Sequence, residues 1–485
     1  MNIKMIGRFQ SLILLFEALF MIPALGICIL DGDIKALISF AVTMTACLAA
    51  FGVLHFLCHR APRAFYAKEG LICVGLSWII MSIFGCLPFV ISGSIPSFID
   101  AFFEIVSGFT TTGASILKDV EALPRGILYW RSFSHWVGGM GVLVFLLAVA
   151  PAAGRGEGGF TMHLMRAESP GPSVGKLVPR VRHTAMILYT IYIVLTVVNI
   201  IFLLAGRMPL FDAVCTAFGT AGTGGFGIKN NSIAGYSPYI QNVCTVFMLI
   251  FGVNFTCYYL LLMRRFKEVL FDEELRLYLG IVAASIIAIV INVRGIYGSL
   301  GETVRHSAFQ VSSIITTTGF ATDNFDLWPS FSKGVLLCLM TVGACAGSTG
   351  GGFKAARLLL MLKNLGRKIR RIYSPQRVQT VKMNSKTADE KTLDNINTYL
   401  AAYVVIVIAS FLIVSADGFS TTTNFSAVLA CFNNIGPGLD LVGPSGNYSA
   451  FGVLSKIVLS FDMLAGRLEI FPVLALFSKS TWKRI

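Results

Sequence analysis

The sequence contains little charge for its length. Of its 485 residues only 13% are Asp, Glu, Lys or Arg, while 55% are hydrophobic, and the mean hydropathy is +0.74. Soluble globular domains carry about 25% charged residues, so this composition excludes a water-soluble protein. We therefore predict a polytopic membrane protein whose surface contacts membrane lipid.

The sequence also lacks the residue spacings that hold metals, disulfides or catalytic groups. Its eleven cysteines are scattered singly through apolar runs without a C-x-x-C pair, and its six histidines show no ligand spacing. We interpret the cysteines as small buried apolar residues. Because no catalytic constellation is evident either, we expect no enzyme activity and no cofactor held by this chain.

Two glycine-rich stretches match nucleotide-binding patterns only loosely. Residues 222–227 satisfy G-x-G-x-x-G, but a dinucleotide-binding unit also needs an acidic residue about 20 positions later. Residues 213–267 contain neither Asp nor Glu. In the stretch 347–354, Phe353 stands where a P-loop requires Lys. We therefore reject nucleotide binding at both stretches.

Ten apolar runs approach the roughly 20 residues that a helix needs to cross a membrane. The first contains Glu17 and has no small-x-small cleavage site, so we interpret it as a helix and not as a signal peptide. The ten runs are residues 9–30, 36–57, 71–91, 126–150, 185–205, 243–263, 277–293, 335–362, 399–414 and 453–477.

The net charge of +14 would suggest a nucleic-acid partner in a soluble protein, but here the charges follow the predicted spans. With both termini cytoplasmic, the inner segments hold 28 of the 39 Lys and Arg residues. Cytoplasmic enrichment in basic residues predicts this orientation, and we expect no nucleic-acid partner. The inner segments are 1–8, 58–69, 151–182, 264–276, 354–394 and 479–485.

Four shorter apolar stretches lie between successive spans and end in similar glycine-containing sequences. They fit re-entrant half-helices, whose irregular ends are tolerated at membrane depth only beside a wet cavity or inside protein. The stretches are 98–109, 210–218, 304–315 and 425–432, and they end in FTTTGAS (109–115), FGTAGTGGFG (218–227), ITTTGFAT (315–322) and NNIGPGL (433–439).

This internal repeat predicts the fold. We expect an all-α polytopic membrane protein with two extra N-terminal helices and four pseudo-symmetric repeats of helix, re-entrant half-helix and helix around one central pore. The boundaries are 1–68 for the two N-terminal helices, 69–155 for repeat 1, 156–266 for repeat 2, 267–394 for repeat 3 with a broken second helix and a basic cytosolic loop, and 395–485 for repeat 4.

Four loops of this composition suit the binding of a dehydrated cation. Rings of backbone carbonyls replace the water shell of such an ion, and glycine permits the backbone angles and close approach that this requires. The negative ends of the half-helix dipoles would favour a cation, with Asp100 and Asp212 complementing the opposite ends. A tight packing turn explains any single loop, but packing does not require four matched loops.

On these four loops and the two additional helices, the chain resembles the Trk/Ktr/HKT superfamily of potassium transporters, most closely its bacterial Trk branch. The resemblance covers nearly the whole sequence. It implies potassium uptake across the bacterial inner membrane, with K⁺ bound in a filter that has one signature glycine per repeat. It also implies a homodimer and a cytosolic regulatory ring of nucleotide-binding subunits, although the basic inner segments could equally reflect topology alone.

The second loop has two possible registers. Matching FTTTG to FGTAG places its signature glycine at Gly222, whereas counting from Asp212 places it at Gly225. Both glycines are therefore candidates for the signature position. The predicted filter residues are Thr110, Thr111, Thr112, Gly113, Thr220, Ala221, Gly222, Thr223, Gly224, Gly225, Thr317, Thr318, Gly319, Asn434, Ile435 and Gly436.

Five glycines interrupt the second span of repeat 3. Each costs about 1 kcal/mol in a helix, so we expect the helix to break within residues 342–353. The resemblance implies that this segment obstructs the pore below the filter, and a kink for close packing is the alternative. The predicted gate residues are Gly343, Ala344, Cys345, Gly347, Ser348, Gly350, Gly351 and Gly352, together with Arg467.

Arg467 lies inside the last span, where a charge costs at least roughly 2.5 kcal/mol. We predict that it forms an electrostatic barrier beneath the filter. The alternative is a structural ion pair with one of three acidic residues, Asp462, Glu469 or Glu104.

The competing function is an ion-coupled secondary transporter of another small cation or solute, because ten spans with a broken helix also suit inverted-repeat carriers. Such carriers place paired breaks in two repeats, whereas this sequence has four matched re-entrant loops. We therefore favour potassium transport. The sequence leaves open whether transport is channel-like or coupled to another ion.

Overall fold

The computed structural model of the chain describes residues 2–59, 67–141, 181–376 and 379–479. The last part of the predicted span 126–150 and residues 151–180 of the predicted basic segment lie outside the described residues. Within the described ranges the protein is built almost wholly of α-helices, with one two-stranded hairpin.

The N-terminal part is a helical hairpin that precedes the repeating units. A left-handed glycine, Gly32, ends the first arm, and Asp33 caps the second by accepting a hydrogen bond from the amide of Ala36. The outer face of the second arm exposes apolar side chains, as expected of a helix in lipid. The hairpin consists of α1 (Ile3–Phe20), α2 (Ile22–Asp31) and α3 (Ile34–Cys58).

The same order of long helix, short helix and helix then recurs four times. Unit 1 contains α4 (Ala67–Gly85), α5 (Leu87–Ser92), α6 (Phe98–Phe109) and α7 (Arg125–Met140), and unit 2 contains α8 (Val181–Ala205), α9 (Leu210–Gly222), α10 (Pro238–Phe251), α11 (Phe255–Leu262) and α12 (Phe266–Leu270). Unit 3 contains α13 (Glu273–Val293), α14 (Leu300–Ile315), α15 (Ser330–Val342), α16 (Ala355–Tyr373), β1 (Lys382–Met383) and β2 (Lys386–Thr387). Unit 4 contains α17 (Glu390–Val414), α18 (Thr421–Phe432), α19 (Val453–Arg467) and α20 (Phe471–Phe477).

The four half-helices are α6, α9, α14 and α18, and three of them begin at a serine cap. The hydroxyls of Ser97, Ser299 and Ser420 each accept a hydrogen bond from a first-turn amide, while Pro209 precedes α9. These caps satisfy amides that a helix leaves unpaired at its start. The predicted starts at 98 and 210 are confirmed, but the predicted starts at 304 and 425 are wrong, because α14 and α18 begin at Leu300 and Thr421. In both cases a serine cap adds a polar first turn that hydropathy did not reveal.

Six helices of the described residues are long and apolar enough to cross a membrane, and a seventh span results if one bent pair is counted. The predicted break within the run 335–362 is confirmed between α15 and α16, but two further runs among the ten are interrupted where no break was predicted. The run 243–263 bends by 88° between α10 and α11. The run 453–477 is divided after Arg467, where Glu469 and Ile470 have positive φ angles. Both breaks lie beside a glycine, Gly252 and Gly466, which weakens the helix locally.

The predicted basic loop 354–394 is largely helical. Helix α16 occupies 355–373, and the chain returns through the β1–β2 hairpin to α17. Ala356, Leu360 and Asn364 recur at four-residue intervals and form the buried face of α16. The many basic residues suggested a loop, but they lie mainly on the opposite faces of an amphipathic helix.

All eleven cysteines are free, and ten are buried as predicted. Cys338, on α15, is exposed and corrects that interpretation. A lipid-facing helix surface accommodates a small apolar thiol as readily as the protein interior does.

Candidate ion-binding site

Each half-helix ends in the same hydrogen-bonded turn. A residue just past the helix adopts the left-handed conformation, and the next amide donates to the carbonyl five residues earlier, as in a Schellman motif. The left-handed residues are Thr111, Thr223, Thr317 and Asn434. The bonds are Thr112 N to Ser107 O (2.9 Å), Gly224 N to Gly219 O (2.8 Å), Thr318 N to Ser313 O (2.8 Å) and Ile435 N to Ala430 O (2.9 Å).

A glycine follows two residues after each left-handed residue. These glycines have φ angles of 81°, 79°, 82° and 90°, a region that side chains rarely allow. They are Gly113, Gly225, Gly319 and Gly436. In the second loop the equivalent position is therefore held by Gly225, whereas Gly222 is the last residue of α9.

The four glycines close a ring. A Cβ atom on Gly113 would overlap the carbonyl oxygen of Gly224, and one on Gly225 would overlap that of Thr318. The same contact continues from Gly319 to the carbonyl of Ile435, and from Gly436 to the carbonyl of Thr112, at 2.7 Å. We number these loops 1 (residues 110–113), 2 (223–225), 3 (316–319) and 4 (433–436), and together we call them the glycine ring. Each loop abuts the next in the order 1, 2, 3, 4, 1.

Side-chain oxygens line the turns of loops 1 and 3 in the same way. The hydroxyls of Thr110 and Thr112 are 2.7 Å apart, and those of Thr316 and Thr318 are 2.8 Å apart. Asn434 links loop 4 to loop 1 by donating from Nδ2 to Oγ1 of Thr112 at 3.0 Å. These threonines are fully buried. Their hydroxyl groups therefore stabilise the loops through hydrogen bonds within the protein interior.

The structure brings most of the predicted filter residues into this ring. Three residues of the second stretch, Thr220, Ala221 and Gly222, lie instead in the last helical turn of α9. Among the described residues, no group of three or more His, Cys, Asp or Glu is placed to hold a metal ion. Oxygens of the loops are thus the groups that this site offers to a cation.

The half-helices impose a common electrostatic polarity. All four end at the ring, so the partial negative charge of each C-terminus lies beside it. At the opposite ends, Asp100 pairs with Lys456 (2.6 Å) and Asp212 accepts from the hydroxyl of Tyr236 (2.8 Å). Beyond loop 4, hydrogen bonds from Ser420 and then Thr423 lower the pKa of Asp440. This arrangement favours a cation at the ring.

The glycine-rich loop, residues 343–354, lies directly against loops 3 and 4. The amide of Gly351 donates to Oγ1 of Thr317 at 2.7 Å. A Cβ atom on Gly350 would stand 2.9 Å from the carbonyl oxygen of Thr316, and one on Gly351 would stand 2.6 Å from that of Asn433. Only residues without side chains permit this approach, which explains the glycine content of the loop.

The glycine-rich loop also joins the break between α10 and α11. The amide of Cys345 donates to the carbonyl of Gly252, and the amide of Phe255 donates to the carbonyl of Gly347, both at 3.0 Å. Thr349 adds a bond from its hydroxyl to the carbonyl of Phe251 at 3.2 Å. The two interrupted helices therefore satisfy each other's backbone groups, as non-helical chain inside a membrane requires.

Arg467 connects this loop to unit 1 through backbone carbonyls. Its guanidinium donates to the carbonyl oxygens of Thr349 (2.8 Å), Gly139 (2.7 Å) and Gly138. The last two belong to the C-terminal turn of α7, where the carbonyl of Gly138 also accepts from the amide of Gly141 and the helix end carries partial negative charge. The three carboxylates named as alternative partners have other contacts: Glu104 binds Arg131, Glu469 binds Arg357, and Asp462 accepts from Ser410.

Two buried residues behind the ring were not predicted. Arg131 pairs with Glu104 of α6 at 2.6 Å and donates to the carbonyl of Gly227, just beyond the second loop, at 2.9 Å, which joins the first two units. His135 lies 2.8 Å from the carbonyl of Gly108 and accepts from the amide of Phe226. Arg131 is a charge inside an apolar run, the same signal that pointed to Arg467, whereas His135 gave no signal in sequence.

Half-helices that converge on a closed ring of oxygen-bearing turns, inside a helical membrane fold, are typical of membrane proteins that transport cations. The family model described as TrkH, cation transport protein, matches residues 37–484. The chain is 36% identical to the Trk system potassium uptake protein TrkH of Salmonella typhimurium over 491 residues, with all of both chains covered. It is 30% identical to the Trk system potassium uptake protein TrkI of Halomonas elongata, over 96% of this chain and 94% of that one.

Solved structures give the same result. The crystal structure of the potassium transporter TrkH from Vibrio parahaemolyticus matches with a TM-score of 0.88 and 31% identity, over 100% of each chain. The chain therefore belongs to the TrkH family of cation transport proteins. Members of this family are transporters and not enzymes, which confirms the predicted family, the helical membrane fold and the expectation that the protein is no enzyme.

Proposed function

We propose that the protein takes up potassium across the bacterial inner membrane and that the glycine ring is its selectivity filter. The closure of the ring carries this proposal, because each glycine packs against the residue that precedes the glycine of the next loop. A closed ring of backbone oxygens can replace the water shell of a cation. The relatives named as potassium uptake proteins support potassium as that cation.

The glycine-rich loop and Arg467 form the gate in this proposal. The loop touches loops 3 and 4 through Gly350 and Gly351, so it stands in the path of an ion leaving the ring. Arg467 binds the loop at Thr349 and places a positive charge at the same level. A cation passing this point would meet both a steric and an electrostatic obstacle.

The partners in this proposal act from the cytoplasmic side. The basic residues of α16 place Lys368, Arg370 and Arg371 at an exposed position beyond the glycine-rich loop. A cytosolic ring of nucleotide-binding subunits that docks there could move α16 and the loop together. We also propose a homodimer, transported K⁺ bound in the filter and no cofactor in this chain, as the family resemblance implies.

The filter is tested by a matched pair of glycine substitutions. Gly319→Ser places a side chain against the carbonyl of Ile435 at a φ angle of 82°, whereas Gly301→Ser, in the same half-helix, meets no atom within 4 Å. We expect Gly319→Ser to lower the ratio of potassium to sodium flux into liposomes by about tenfold or more, and Gly301→Ser to leave it unchanged. Equal ratios in both folded variants would exclude the ring as the filter.

Whether transport is channel-like or coupled to another ion is tested with the wild-type protein in planar bilayers. Channel-like transport predicts that the reversal potential follows the potassium gradient alone. Coupling to protons would shift that potential when a proton gradient is imposed. The outcome decides between the two modes without a variant.

A further inference from the structure

One carboxylate contacts the chain near the start of the glycine-rich loop and again just beyond its end. Glu274, the second residue of α13, is buried, with 2% of its surface exposed. Its Oε1 atom accepts hydrogen bonds from the backbone amides of Ala346, near the start of the loop, and of Ala356, in the first turn of α16 (3.1 Å). A single oxygen therefore ties together two points that enclose the part of the loop beneath the ring.

The contact at Ala356 replaces a missing helix cap. Helix α16 begins after Lys354, which has a positive φ angle and makes no side-chain capping bond. The first amides of a helix need acceptors and carry partial positive charge. Glu274 supplies both an acceptor and a negative charge from a neighbouring helix, so the start of α16 depends on α13.

The start of α13 is itself held in place. Asp272 caps the helix by accepting from the amide of Leu275 at 2.8 Å. Asp272 also accepts from Nδ2 of Asn384 at 2.6 Å, and the backbone amide of Glu273 donates to Oδ1 of Asn384 at 2.9 Å. Glu274 is thus a fixed point to which the glycine-rich loop is attached.

We propose that Glu274 is a positioning residue that holds the glycine-rich loop in its obstructing conformation. The inference rests on the proposed function of that loop as the gate. Because the segment is attached near both ends, residues 348–353 leave the ring only after Glu274 releases Ala346 or Ala356. Movement of α16, which carries Ala356, is then the motion that releases the loop.

Three substitutions of Glu274 distinguish the effect of its hydrogen bonds from the effect of its negative charge. Glu274→Ala removes the acceptor, and Glu274→Asp keeps the charge but withdraws it by one methylene group. Glu274→Gln keeps an acceptor oxygen at the same reach. The matched control is Glu273→Ala, which removes the same charge one residue earlier and breaks the ion pair of Glu273 with Lys363 instead.

We expect Glu274→Ala and Glu274→Asp to raise basal potassium flux into liposomes on the order of tenfold, because both substitutions withdraw the acceptor oxygen from the amides of Ala346 and Ala356 in the closed state. Glu274→Gln and Glu273→Ala should stay within about threefold of wild type. If Glu274→Ala does not fold, Glu274→Asp carries the same expectation. Wild-type flux in a folded Glu274→Asp variant, or an equal rise in Glu273→Ala, would overturn the proposal.

A second measurement does not depend on flux. Cys345 lies in the glycine-rich loop and is buried, so its reaction with a water-soluble thiol reagent reports release of the loop, in a background where the exposed Cys338 is replaced by Ala. If Cys345 is labelled faster in Glu274→Asp and at the wild-type rate in Glu273→Ala, the result supports attachment of the loop by Glu274. This conclusion holds even if the wild-type protein does not transport potassium. Unchanged labelling would contradict it.

Discussion

Arg467 donates its guanidinium hydrogens to backbone carbonyls from two different units, Thr349 of the glycine-rich loop and the pair Gly138 and Gly139 at the end of α7. The carbonyls of Gly138 and Gly139 lie at a helix C-terminus, which carries partial negative charge. The side chain therefore joins two units by hydrogen bonds, and in the proposed function its positive charge also opposes a cation at the gate. Substitutions can separate these two effects.

We predict that Arg467→Gln raises potassium flux, because the amide can still donate to a carbonyl but carries no charge to repel a cation. Arg467→Ala should raise it at least as much. The control is Arg294→Gln, an exposed position at the end of α13. If Arg467→Gln keeps wild-type flux while Arg467→Ala loses thermal stability, Arg467 holds the two units together and is not an electrostatic barrier.

The buried pair of Glu104 and Arg131 acts at the same scale on stability. Its side chains are 0% and 3% exposed, whereas those of the surface pair Asp31 and Arg125 are 26% and 56% exposed. Removing one member of a buried pair leaves an uncompensated charge and costs about 3–5 kcal/mol, while an exposed pair contributes at most about 1 kcal/mol.

We therefore predict that Glu104→Ala lowers the thermal unfolding midpoint of the detergent-solubilised protein strongly, and that Asp31→Ala changes it little. Static light scattering and the unfolding midpoint measure this directly. Similar midpoints for the two variants would mean that Arg131 finds another partner when Glu104 is absent.

At the scale of elements, two interrupted helices support each other. The glycine-rich loop and the break between α10 and α11 exchange backbone hydrogen bonds at Cys345, Gly252, Phe255 and Gly347. Neither break could exist alone inside a membrane, because its amides and carbonyls would lack partners. The loop is thus held on one side by another unit and on the other by the ring.

Shortening the loop tests its role. We predict that deletion of residues 348–350 raises basal potassium flux and reduces the response to the cytosolic partner, because the remaining chain cannot reach the contact between Gly351 and Thr317. Liposome flux with and without that partner is the measurement. A folded deletion variant with wild-type flux in both conditions would make the break a packing feature.

At the scale of the whole molecule, topology follows from charge. The basic segment that contains α16 and the β1–β2 hairpin should be cytoplasmic, and the loop between α6 and α7 should be external. Lys118 and Thr380 are exposed positions in these two regions. They offer matched reporters in a variant that lacks the exposed Cys338.

We predict that a membrane-impermeant thiol reagent applied to intact cells labels the Lys118→Cys protein and not the Thr380→Cys protein. After the cells are opened, both should react. Labelling of Thr380→Cys from outside would reverse the orientation inferred from the basic residues.

Sequence alone determined the class of fold and the approximate places of the four half-helices, although α14 and α18 begin four residues earlier than the predicted starts at 304 and 425. Hydropathy and glycine-containing turns are local properties, so they can be recognised without knowledge of the tertiary neighbours. The family was predicted from the four loop sequences and is confirmed by full-length relatives. The sequence analysis predicted a loop where α16 lies, because the many charged residues obscured the four-residue spacing of the buried face of that helix.

Only the tertiary structure decided which groups meet. The register of the second loop depends on the contact of Gly225 with Thr318, which lies 93 residues away in the sequence. The carbonyl partners of Arg467 and the two amides bound by Glu274 likewise come from other elements. Backbone acceptors and donors carry no sequence signature, since every residue supplies them. Their pairing is set by how the helices pack, and that packing places the ring, the loop and its anchor together.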